Sequence, residues 1–224
     1  MTVSGVSDMA TGRAAHENPS ILILGIGNIL WADEGFGVRA VEAMAQRWQL
    51  PLNVRLLDGG TQGLYLVDQV RAADVLIVFD AVDYGLPPGT IKRVEDNEVP
   101  RFLGAKKMSL HQTGFQEVLA LAALLGDYPQ HLVLIGVQPV ELEDFGGSLR
   151  PAVQAQIEPA IQMALEYLAD LGIVVQPLGT PANQPGSLPH PALGLVPYEV
   201  ERPSREAARR VGDPRILAQA RRSR

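Results

Sequence analysis

The sequence contains no cysteine. That absence removes disulfide scaffolds, thiolate metal sites and a cysteine nucleophile, and it fits a reducing compartment. No stretch reaches the ~18 uninterrupted apolar residues of a membrane span. The first twenty residues, MTVSGVSDMATGRAAHENPS, lack both an apolar run and a basic start, so they read as a polar leader and not as a signal peptide. There is no helical HExxH pair, which argues against ordinary zinc-protease chemistry. No internal repeat is present. The expectation is a soluble, cytoplasmic, monomeric protein with no membrane contact.

What is present suffices for one full core. The chain has 224 residues, of which 46% are hydrophobic, enough for a single domain. Its net charge of −6 is unevenly spread. Residues 176–224 hold eight arginines against Glu199, Glu201, Glu206 and Asp213, a balance of +4, so the remainder carries −10. An acidic body excludes a nucleic-acid groove. The basic tail is either a solvated arm or a contact for an acidic partner surface.

Short apolar runs alternate with helical patterns, the mark of an α/β layered domain. Strands are expected at 21–26, 53–57, 75–79, 90–94 and 132–137. Runs such as VLIVF and LVLIGV are apolar on both faces, as central strands covered by helices require. The expected fold is an α/β/α sandwich around a twisted, mostly parallel five-stranded sheet. Helices are expected at 34–48, with Val38, Val41, Met44, Ala45 and Trp48 on one stripe, and at 62–70. A third spans 114–125, with Thr113 and Gln116 patterned as a capping box. A fourth spans 151–171, where Pro159 either kinks it or opens its main segment. GLPPGTIKRVEDNEV holds a turn and a charged strand, antiparallel or at an edge. Three segments follow: a leader at 1–20, a folded domain at 21–175, and a Pro/Gly-rich linker with a basic tail at 176–224.

Polar groups gather where strands end. LLD stops at Asp58 before GGT, VFD stops at Asp80, and the first strand leads through GIGNILWADEGFGV to Asp33 and Glu34. If the strands are parallel, these carboxylates share the sheet edge where open α/β sheets place ligands. His111 lies two residues before the Thr113 cap, where a helix N-terminus disfavours imidazolium and keeps the ring neutral. Asp33 reads as an N-cap. Glu34 is either a second first-turn acid or a ligand, because one cap suffices. Asp58 either accepts hydrogen bonds from the turn behind it or takes part in chemistry. Asp80, after four apolar residues, needs a partner, water or a turn to cap. His111 in isolation reads as a satisfied histidine; its company of carboxylates raises the metal reading. His16, His131 and His190 receive no function. Trp31 looks exposed in a turn, facing a partner or covering the core edge. Two carboxylates and an imidazole suit a divalent first-row metal with positions left open.

The pieces GIGNILWADEGFGVRAVE, LDGGTQGLYL, VLIVFDAVDYGLPPGTI, SLHQTGFQEVLALAALLG and LVLIGVQP, in this order across 21–175, resemble the maturation endopeptidases of nickel–iron hydrogenases. The resemblance implies an α/β/α sandwich and removal of a short C-terminal extension from the hydrogenase large-subunit precursor after nickel insertion. It places the metal-contacting positions on Glu34, Asp80 and His111, with Asp58 and its glycines as a further motif. Nickel would arrive with the precursor, on its cysteines, and soft thiolates and harder protease groups would share one ion. Hydrolysis by water would follow, with Glu34 as first candidate base and Asp58 as second, and with Gly59–Gly60 or Gly35 backbone N–H groups facing the oxyanion.

Three rivals stand beside this reading. A dinucleotide-binding turn needs glycine at position 30, where Leu30 stands, and adjacent acids would repel a pyrophosphate. The GxGN turn is also similar to that of peptidyl-tRNA hydrolases, which need a basic surface that this body lacks. A nickel-carrying chaperone without hydrolytic activity would use the same ligands.

Overall fold

The computed structural model describes residues 18–99, 110–179 and 194–201, with the side chains of residues 110–113 outside that description. Its centre is a five-stranded sheet of β1 (Ile21–Ile26), β3 (Val54–Gly60), β4 (Val75–Ala81), β5 (Ile91–Glu95) and β6 (His131–Val137), in the order β3-β1-β4-β6-β5. All neighbours are parallel except β5, which runs antiparallel to β6 at one edge. All five expected strands form, each within a few residues of its expected bounds. The charged KRVE segment takes the edge because only one of its faces has apolar cover.

The helices are α1 (Phe36–Arg47), α2 (Val67–Arg71), α3 (Leu110–Leu124), α4 (Pro151–Gln154), α5 (Ile157–Asp170) and α6 (Leu195–Glu201). Strand alternation sorts the core into two layers. Ile21, Ile23, Ile77, Phe79 and Ile135 pack with Phe36, Val41 and Met44 of α1 and Ile161 and Leu168 of α5. Leu22, Leu24, Leu76, Val78 and Leu134 pack with Val70 of α2 and Phe115, Val118 and Leu119 of α3. Successive strand residues face opposite layers, so a strand apolar throughout is buried twice over. The result is the three-layer α/β/α sandwich.

Helix boundaries differ from expectation where capping chemistry was inferred. The segment expected as one helix from 34 begins instead as a 3-10 turn, Ala32–Gly35, that hands over to α1. Trp48 leaves the helix for β2 (Trp48–Gln49), which pairs antiparallel with β7 (Gln176–Pro177). This pairing ties the chain beyond 175 to the end of α1, and Leu178 N–H adds a bond to the Arg47 carbonyl at 2.7 Å. Thr113 lies inside α3, which starts at Leu110, and not at the N-cap position, which stands outside the helical backbone. The expected helix at 151–171 is interrupted between α4 and α5, and Pro159 sits in the first turn of α5, where no N–H is required.

Within the stretch expected as linker and tail, α6 packs on the domain. Leu195 joins the α1/α5 layer, the Ser148 hydroxyl donates to the Glu199 carboxylate at 2.7 Å, and the Tyr198 ring lies 5.4 Å from the Arg39 guanidinium. The leader through residue 17, the segment 180–193 and the tail beyond 201 lie outside the described residues. Among the described residues, no helix is long and apolar enough to cross a membrane.

Candidate active site

The topology selects one place on the sheet. After β1 the chain winds outward through α1 to β3, then returns through α2 to β4 on the other side of β1. α1 covers one face and α2 the other, so the connections diverge between β1 and β4. Such a switch point leaves a crevice outside the strands' carboxyl ends. Glu34 follows β1 and Asp80 ends β4, so the two carboxylate-bearing segments flank this crevice.

The turn after β1 is held close to the sheet by backbone contact. At Gly37, a Cβ would lie 2.1 Å from the Phe79 carbonyl oxygen and 2.4 Å from that of Ile26. Only glycine lets the start of α1 press on β1 and β4 together. Immediately before the acids, Ala32 adopts a left-handed backbone at φ 41°. A non-glycine residue there is strained, and such strain concentrates at functional turns held by their surroundings.

Asp33 is fully buried and is not an N-cap. It lies inside the 3-10 turn, and its carboxylate crosses to the 138–150 loop. Oδ2 accepts the Val140 and Glu141 N–H groups at 2.8 and 2.9 Å, and Oδ1 accepts that of Arg150 at 2.6 Å. Asp33 N–H donates to the Glu141 carbonyl at 3.1 Å. A buried carboxylate is tolerated because backbone donors replace its water. Glu34, the next residue, is half-exposed. One acid builds the turn and the other is only half-buried.

Asp80 is fully buried, and its Oδ1 accepts the N–H of Ala81 at 2.8 Å. It stands opposite Gly136 of β6. A Cβ at Gly136 would lie 2.0 Å from the Tyr84 hydroxyl oxygen, so that glycine opens the space the phenol occupies beside Asp80. Burial, and secondly the Asp80 carboxylate, push the Tyr84 hydroxyl well above the ordinary phenol range. Lys92 Nζ lies 5.7 Å from the centre of the same ring. Gln138 fixes the loop, its Oε1 accepting the N–H groups of Tyr84 and Leu86 at 2.8 and 3.1 Å. Sequence reasoning passed over Tyr84. Its signal was the DYG step directly after the VFD strand end.

His111 is in the first turn of α3. That helix leads into β6, which is parallel to β4, so its start lies at the carboxyl edge of the sheet. One turn on, a Cβ at Gly114 would meet the Cα of Gly63, in the turn after β3, at 3.5 Å. Phe115 and Val118 place α3 on the layer that Val78 faces, the layer of Asp80. The His111 side chain is outside the described residues. Among the described residues no three His, Cys, Asp or Glu side chains form a metal-sized group.

Asp58 stands near the end of the edge strand β3. It stands opposite Gly25, on whose other side lies Phe79, so it faces the α1 layer. Its neighbours there are Arg39 and Glu42, a buried ion pair with Nη1–O distances of 3.0 and 2.8 Å. Burial raises the Asp58 carboxyl above its ordinary range, opposed by the Gly60 N–H and by Arg39. Burial likewise raises Glu42, against the Arg39 hydrogen bond. Trp31, expected to be exposed, is half-buried edge-on against Phe145, with centroids 5.2 Å apart and an interplanar angle of 62°.

Residues 38–167 match the family model of the HycI hydrogenase maturation proteases. The chain belongs to that family. The chain is 70% identical over 202 residues to the hydrogenase expression/formation protein HupD of Thiocapsa roseopersicina, covering 90% of this chain and 91% of the relative. It is 45% identical over 158 residues to the hydrogenase 2 maturation protease of Escherichia coli K12, covering 70% and 95%. Among solved structures, the hydrogenase maturating endopeptidase HybD from E. coli superposes with a TM-score of 0.66 at 43% identity, covering 70% of this chain and 96% of that one. As a maturation protease, the chain is a hydrolase.

Proposed function

We propose that this hydrogenase maturation protease removes the C-terminal extension of the nickel–iron hydrogenase large-subunit precursor, acting as a cytoplasmic monomer after nickel insertion. The observation that carries the proposal is a fully buried Asp80 at the switch point, with the Glu34 turn clamped against the same strand ends. Such an arrangement is costly for folding and is found where charge must meet a ligand.

Nickel belongs to the substrate in this reading. Glu34, Asp80 and His111 contribute oxygen and nitrogen donors suited to a divalent first-row ion, and the precursor's thiolates supply the remainder. The precursor's nickel orients the scissile peptide and neutralises the carboxylates that receive it. A nickel-free precursor brings no cation to them and docks more weakly. Glu34, on the accessible side of the turn, takes a proton from the attacking water, and that proton passes to the leaving amine as the C–N bond breaks. Asp80, held by the Ala81 N–H, stays fixed as the opposite wall.

The test is incubation of the purified chain with nickel-loaded and nickel-free precursor, followed by the mass of the large subunit. Loss of the extension from the loaded form alone, and a Glu34→Gln rate lower by about 100-fold or more, are expected. Equal trimming of both forms overturns the nickel requirement. An intact C-terminus with nickel transferred overturns the peptidase assignment in favour of a chaperone.

A further inference from the structure

Beside Glu34 the surface carries apolar side chains that the fold holds outward. Leu30, Val140 and Phe145 are 42%, 48% and 56% exposed. They come from two segments fastened together. Gly146 N–H donates to the Leu30 carbonyl at 2.7 Å, and Trp31 bridges to Phe145 and to Gly147. The Asp33 carboxylate pins Val140, Glu141 and Arg150 by their N–H groups, and Arg150 Nη2 reaches back to Asp144 at 2.7 Å. Phe145 is thus kept outside, with its ring packed against that of Trp31. Apolar side chains exposed singly are ordinary, but three held on segments fastened to one another mark an interaction surface.

We infer that Leu30, Val140 and Phe145 form the docking ridge for an apolar segment of the large-subunit precursor, separate from the peptide that is cut. The inference rests on the proposed peptidase reading. Two observations identify the occupant. The ridge is continuous with the crevice, since Leu30 and Trp31 lead through the 3-10 turn into Glu34, so whatever reaches the crevice from this side crosses it. Its loop edge is acidic, with Glu141 and Glu143, so the matching segment carries basic groups beside its apolar ones. A second copy of this chain fits poorly, because a two-fold contact sets the same acidic edges against each other. Docking energy gained on a rigid ridge tightens binding of the body without altering the chemical step.

The test is the rate of precursor trimming against concentration of nickel-loaded precursor for Phe145→Ser, Leu30→Ser and Leu52→Ser. Leu52 is fully exposed just before β3, at the opposite edge of the sheet, and serves as control. The ridge variants are expected to raise KM by about tenfold while kcat stays within about twofold, as for loss of an exposed apolar contact that acts equally on ground and transition states. The control is expected to match the wild type. Leu30→Ser keeps the test decisive if Phe145→Ser loosens its loop. Unchanged KM in a ridge variant that melts like the wild type overturns the inference, as does a wild-type dimer that Phe145→Ser splits with no change in KM. A wild type that fails to trim at all instead overturns the peptidase reading.

Discussion

Two strands end in aspartate, and the sheet treats them differently. β4 lies in the middle, covered on both faces, and presents Asp80 at the switch point. β3 lies at the edge, and its Asp58 is half-buried behind α1, next to the Arg39–Glu42 pair and bonded to its own turn. The same motif, an apolar run stopped by an aspartate, gives a fully buried acid at the switch point in one case and a half-buried acid at the sheet edge in the other. Strand position, more than residue type, decides what surrounds each carboxylate.

The widest contrast is expected in activity. Asp80→Asn should lower precursor trimming by about 1,000-fold, while Asp58→Asn costs no more than about tenfold; trimming rates measured side by side check this, and equal losses erase the distinction. A second contrast is structural. Asp33→Asn places an amide among three backbone donors and should cost about 2–4 kcal/mol in urea unfolding, since charge-assisted bonds are lost and a donor meets donors. Gly136→Ala is expected to be milder, about 1–3 kcal/mol, because the phenol of Tyr84 must move for the new methyl group; a loss of trimming larger than the loss of stability would join Tyr84 to the Asp80 wall.

The smallest effect concerns pH. The folded state holds Asp58 protonated to higher pH than the unfolded chain does. Native protein thus binds the extra proton, and stability falls as pH rises through the range just above the ordinary value of 3.8. Glu42, raised from 4.5, acts in the same direction. Asp58→Asn should flatten this part of the pH profile of the urea midpoint, and an unchanged slope would remove Asp58 from it.

Much of this was legible in the chain itself. Strands such as ILILGI and VLIVFDA carry their own instruction, because β-branched and aliphatic runs buried on both faces have few other stable placements. The α/β/α layering followed from their alternation with helical stripes, and the strand-end positions of Asp58 and Asp80 followed from the strands. Capping was harder to read. The same short polar residues serve at N-caps, inside first turns and across loops, which is why Thr113 and Asp33 were misplaced.

The sequence by itself determined where apolar surface had to be buried, and through that the strands, the layers and the edge that collects the acids. Tertiary structure alone decided which neighbour each acid would have. Asp33 turns to a loop more than a hundred residues away, Asp58 to a helix, and Tyr84 fits beside Asp80 because the strand alongside offers a glycine at that level. Burial preference is a property of one residue in water, whereas a hydrogen-bond partner or an open space exists only once distant segments have met.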